Sequence, residues 1–91
     1  MDVSNYTVVF GGIMVFGVQV HNSCTIAEFF DKVEMLLTVK GRFFSLTAYD
    51  VLYNGIPLKP TDEILCKCFP NEIPFEILHK LQRVAIPLIY L

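Results

Sequence analysis

The chain has few basic residues, 7 Lys and Arg against 9 Asp and Glu, and they form no stripe. Nucleic-acid binding rests on a basic surface that neutralises phosphates, so a nucleic-acid partner is not expected. Charge of either sign is scarce, at 18% of residues, and none lies between Val3 and Ala27. That uncharged run still does not suit a membrane span, which needs ~20 predominantly apolar residues. Ser4, Asn5, Thr7, Gln19, His21, Asn22 and Ser23 interrupt it, and Gly11-Gly12 breaks its centre. No Lys or Arg flanks it to set an orientation. Met1-Asp2-Val3 is acidic where a secretion signal is basic. A buried hairpin is the better expectation, with no membrane partner.

Cysteine is also scarce. Cys24, Cys66 and Cys68 make an odd set of 3, which does not suit a disulfide framework. With His21 or His79 they would supply four zinc ligands, but the spacing matches no zinc motif. Free, mostly buried thiols are expected, and with them a reducing compartment, cytoplasm or nucleus. Lys67 beside Cys66 and Cys68 could lower a thiol pKa, but packing under the last strand is the simpler role. His21 and His79 have no nucleophile or second carboxylate at a recognisable spacing, and Gly11-Gly12 is no phosphate loop. No catalytic residue, cofactor or metal is therefore expected.

What remains is apolar: 54% of 91 residues, enough for one domain with its own core and too short for two. Tyr6 to Phe10 is rich in β-branched and aromatic residues, and Gly11-Gly12 supplies the positive φ of a tight turn. Ile13 to His21 reads as a second strand, with Phe16, Val18 and Val20 on one face. Thr25-x-x-Glu28 is a capping box. The apolar set then becomes Ile26, Phe29, Phe30, Val33, Leu36 and Leu37, at helical spacing. With Lys40 and Gly41 as stop signals, a helix is expected over about 25–39. Within it, Glu28 and Lys32 have the spacing of an i, i+4 pair. Phe30 and Val33 are expected under the sheet, facing Phe16, Val18, Val51 and Phe75. Of Phe43 and Phe44, one is expected to pack in the core.

Tyr49 to Tyr53 is a short strand stopped by Asn54-Gly55. Ile56-Pro57-Leu58 is extended at an edge. Thr61 or Asp62 could cap a helical turn over Glu63 to Cys68. Pro74 to Leu81 is the last strand. The order predicts an α+β domain: a mixed four- to five-stranded sheet with one main helix on one face, the β-grasp architecture.

This order, with these turn residues, resembles the ubiquitin-like superfamily from about Tyr6 to Leu81. Thr25-Ile26 is similar to the helix start of that family. Val51-Leu52-Tyr53-Asn54-Gly55, Leu58, Asp62-Glu63-Ile64, Phe69 and Phe75-Glu76-Ile77-Leu78 follow its second half without a gap. The connection before Tyr49 is longer. Conjugated members end in Gly-Gly, whereas Gln82 to Leu91 holds no glycine. Most positions matching chain-forming lysines are Val9, Met14, Ile56 and Asn71; Lys32 is the exception. The resemblance therefore implies a non-catalytic interaction domain over 1–83 that is not itself a modifier, with an apolar tail or extra strand over 84–91.

The resemblance also implies a binding surface. The family is read through an apolar sheet patch, whose matching positions are Leu52 and Leu78, with Gly11 in place of a third leucine. Strand alternation adds Val9 and puts all three on the nominally wet face. Lys80, Glu76 and Arg83 would form the rim. The uncharged tail carries Ile86 and Leu88 and could pack on its own domain or dock on a partner. A partner protein, a ubiquitin-pathway component among them, or the rest of a larger chain is expected, as is self-association through the tail. The alternative is a β-grasp structural or oligomerisation module or a Ras-binding-type domain, the latter disfavoured by the few basic residues on the first two strands.

Overall fold

The computed structural model describes residues 2–38 and 44–80. β1 (Val3–Phe10) and β2 (Met14–His21) form an antiparallel hairpin, so the long uncharged run is sheet. The helix α1 (Ile26–Leu37) follows, then a single 3-10 turn at Leu46–Ala48. β3 (Tyr49–Tyr53), the two-residue β4 (Ile56–Pro57), a short helix α2 (Leu65–Cys68) and β5 (Phe75–His79) complete the order. The strands stand as β2-β1-β5-β3-β4, with β1 and β5 parallel in the middle and the other pairs antiparallel.

The hairpin differs from expectation by one residue. Gly11 and Gly12 take φ values of 62° and 75°, as expected. Ile13, expected in the strand, belongs to the loop and is 90% exposed. Phe10 therefore pairs with Met14 rather than with Ile13. The Gly11 N–H has already turned to the Ile77 carbonyl, at 2.9 Å, so the first turn residue extends the parallel ladder.

α1 begins where the sequence places it. Thr25 Oγ1 accepts from the Glu28 N–H at 3.1 Å, and Glu28 Oε1 accepts from the Thr25 N–H at 2.9 Å. The reciprocal bonds satisfy two donors that helix geometry otherwise leaves open. Glu28 thus serves the cap, while Lys32 Nζ donates to the Gln19 carbonyl on β2. The helix stops sooner than expected, at Leu37, where the extended Thr38 turns its N–H back to Glu34 and Met35. Thr25→Ala should cost about 1 kcal/mol in urea unfolding at neutral pH. The Thr25 backbone N–H holds the Glu28 carboxyl below its ordinary pKa. A lowered carboxyl pKa stabilises the fold above its unfolded value, and that contribution fades as pH falls through the folded one. Glu28→Gln should therefore remove part of the acid-side loss of stability.

The face of α1 that docks is rotated from the expected one. Ile26, Phe29 and Val33 are buried, and Phe30 is only half-buried. Phe29 is fully buried, its ring centroid 4.9 Å from Phe75 and 5.9 Å from Tyr6. Adjacent helical residues point about 100° apart, so only one of the Phe29-Phe30 pair can face the sheet squarely. Phe16, expected opposite the helix, is half-buried, whereas Val18, Val51 and Phe75 are buried as expected.

Tyr6 is the polar exception in this core. Its hydroxyl donates to the Phe69 carbonyl at 2.7 Å, tying β1 to the segment after α2. Burial, helped by the Cys66 sulfur, pushes the phenol above its ordinary pKa and keeps it neutral. α2 is shorter than expected and starts after Ile64 without a side-chain cap. Thr61 Oγ1 instead accepts from the Glu63 N–H within the preceding turn. Phe44 packs against Phe10 and Tyr49, at centroid distances of 5.5 and 5.1 Å, while Phe43 lies outside the described residues.

Candidate protein-interaction surface

With α1 on the inner face, every second residue of each strand points to the outer face. The ladders align these residues into one row across all five strands. Val15 on β2 pairs with Val9 on β1, and Val9 with Glu76 on β5. Glu76 pairs with Leu52 on β3, and Leu52 with Pro57 on β4. Leu78 sits two residues along from Glu76, opposite Asp50. Leu52 and Leu78 are thus diagonal neighbours, a spacing of ~7–8 Å that long side chains bridge.

The row differs in one important respect from the surface expected of it. Val15 is 63% exposed, Pro57 is exposed, and Val9 and Leu78 are half-buried. Leu52, expected to stand open to a partner, is only 5% exposed. Alternation does put it opposite to Val51, and it lies outside the inner core cluster. Alternation assigns a face without saying whether that face is open. Leu52 is therefore a supporting residue of this surface rather than a free anchor.

Val15 and Pro57 were missed at the level of sequence. The Gly11-Gly12 turn could have located Val15 opposite Val9, had Ile13 been assigned to the loop. Glu76 is exposed in the middle of the row, and Lys80, exposed just past the end of β5, also lines the groove beside α1. Arg83, Ile86 and Leu88, the remaining expected contacts, lie outside the described residues, as does the whole 84–91 tail.

Solved structures with the same arrangement are known. The ubiquitin-like domain of Arabidopsis thaliana protein At2g32350, in two structures, matches with a TM-score of 0.67 at 20% sequence identity. The match covers 88% of this chain and 89% or 80% of the other. This chain has a ubiquitin-like fold. A protein designed on ubiquitin also matches it, with a TM-score of 0.64 and 18% identity over 87% of this chain and 90% of that one. No protein-family model and no curated protein sequence matches.

Elsewhere among the described residues the polar groups are dispersed. His21 is exposed at the end of β2, paired with Val3. His79 is half-buried on β5, its ring edge-on to Tyr49 with centroids 5.1 Å apart. Cys24 and Cys66 are half-buried, whereas Cys68, expected to be buried, is exposed. Burial pushes the Cys24 thiol pKa up, and the Glu28 carboxylate adds to the effect, so Cys24 is a poor nucleophile at neutral pH. Among the described residues, no three of His, Cys, Asp and Glu gather as metal ligands, and no helix is long and apolar enough to cross a membrane.

A groove of about 600 Å³ runs between α1 and the β3–β4 side, lined by Phe30, Glu34, Leu46, Tyr49 and Leu58 among others. Glu34, a carboxylate in that lining, already has a structural task. Its Oε2 accepts the Leu46 N–H at 2.7 Å and joins the helix to the 3-10 turn.

Proposed function

We propose that this chain is a non-catalytic protein-interaction domain that docks a partner protein on the outer sheet face. The observation behind this is the row Val15–Val9–Glu76–Leu52–Pro57, with Leu78 beside it, on the side of the sheet away from α1. Val9, Val15 and Leu78 supply the apolar contacts, the buried Leu52 stands beside Leu78, and Glu76 and Lys80 orient the partner from polar positions. The ubiquitin-like fold makes a ubiquitin-pathway component, or the remainder of a larger chain, the partner of choice. The free thiols suit a reducing compartment, cytoplasm or nucleus.

The test is the double variant Val9→Ser, Leu78→Ser. Loss of two apolar contacts, each worth ~1.5–3 kcal/mol when fully buried, should weaken partner binding at least tenfold. Partners recovered from extract with the wild type should be titrated against both proteins by calorimetry. Met35→Ser, a change at an exposed helix position, is the control and should bind normally. Equal affinity of the double variant and the wild type would reject the sheet face as the docking surface.

A further inference from the structure

The two edges of the sheet are built in opposite ways. β4 closes one side with two residues, one of them Pro57, so it offers little to an added strand. β2 closes the other with eight residues, in an unbroken ladder to β1, containing no Pro, Asp, Glu, Lys or Arg. Exposed edges are normally blunted by charge, proline, bulges or short length, because unpaired backbone groups recruit further strands. β2 has none of these devices within itself.

The backbone phase of this edge follows from neighbouring bonds. The Gly11 N–H reaches Ile77, so the odd residues of β1 aim their backbone groups at β5. Their partners on β2, Val15, Gly17 and Gln19, must then aim theirs outward. Lys32 confirms this from the helix, since its ammonium reaches the Gln19 carbonyl. That lysine guards the far end of the strand. Among the described residues Val15 and Gly17 have no strand on this side, next to Ile13 at 90% and Met14 at 54% exposure.

We propose that the β2 edge pairs with the β2 edge of a second copy of this chain, antiparallel about a two-fold axis at Phe16. In that register Val15 of each copy faces Gly17 of the other, and both exchange N–H to carbonyl bonds. The two Phe16 residues meet as a non-hydrogen-bonded pair, the geometry in which cross-strand side chains come closest. A second copy fits because the strand is uncharged, so two identical strands meet without like-charge repulsion. Gly17 has no Cβ to obstruct the approach. Pairing consumes the open edge of both molecules, and the short β4 does not continue the sheet, so the assembly closes as a dimer. An edge contact of this length makes a weak, concentration-dependent dimer rather than a permanent one. The edge does not use the outer-face residues Val9 and Leu78, and Val15 alone belongs to both surfaces.

Sedimentation equilibrium of the 91-residue chain over a micromolar to millimolar series tests this. The wild type should shift from monomer to dimer and go no further, and the Val15 and Gly17 amides should gain exchange protection as dimer forms. Gly17→Lys places like charges across the axis, and a Cβ there has only the Tyr6 carbonyl, at 3.9 Å, within reach. The variant should keep its fold by circular dichroism while self-association weakens at least tenfold. Val15→Lys should do the same, whereas Val9→Ser, Leu78→Ser should dimerise like the wild type. A wild type that stays monomeric throughout, or open-ended growth, would overturn the proposal. So would a dimer indifferent to both lysine variants.

Discussion

Phe29→Ala should be the most destabilising single change in the helix, costing about 3–5 kcal/mol. Phe29 is fully buried between Tyr6 and Phe75, and all three rings pack at tilted angles. Removing it opens a cavity where the helix meets both central strands, and neither β1 nor β5 can shift inward without breaking their shared ladder. A domain of this size commonly has ~5–15 kcal/mol of stability in all, so much of the population should unfold on mild heating. Phe30→Ala is the matched comparison. It lies half-buried on the groove side and should cost clearly less. Chemical denaturation of both variants measures the difference. Equal losses would mean that the helix docks by a face other than the Ile26, Phe29 and Val33 stripe.

Leu52→Ala should come next, at about 2–5 kcal/mol, with a lower melting temperature. Its side chain is nearly as buried as the inner core while lying on the outer face. If it were an open contact, truncation would leave the melting temperature unchanged and reduce binding alone. With 5% exposure, stability should fall first. Leu78→Ala, on the same face but half-buried, should divide the other way, with a modest thermal effect and a larger effect on binding. Thermal unfolding and partner titration of the two variants separate support from contact. An unchanged melting temperature for Leu52→Ala would return Leu52 to the set of direct anchors.

The local elements of this chain follow from neighbouring residues. Thr25 and Glu28 satisfy each other across one helical turn, so the start of α1 is legible from four positions. Gly11-Gly12 and Asn54-Gly55 take positive φ, a requirement that few other residue types meet, so both turns are visible in the text of the sequence. The alternation of Tyr6 and Val8, or of Phe75 and Ile77, marks the buried side of each central strand. Together with the element order these are enough to point to the β-grasp architecture.

Tertiary structure alone decided what depends on two segments at once. Phe29 and Phe30 are chemically identical, and only the rotation of α1 about its own axis selects the first. The hairpin register rests on whether Ile13 counts as loop or strand, and the Phe10–Met14 pairing settles it. The outer row could not be read from any one strand, because it is assembled from four ladders, two of which join β5 to strands distant in sequence. Leu52 makes the point most sharply. Its position in β3 fixes the direction of its side chain, but its 5% exposure is a property of the folded whole. Periodicity acts within a segment, whereas burial is a property of the whole arrangement.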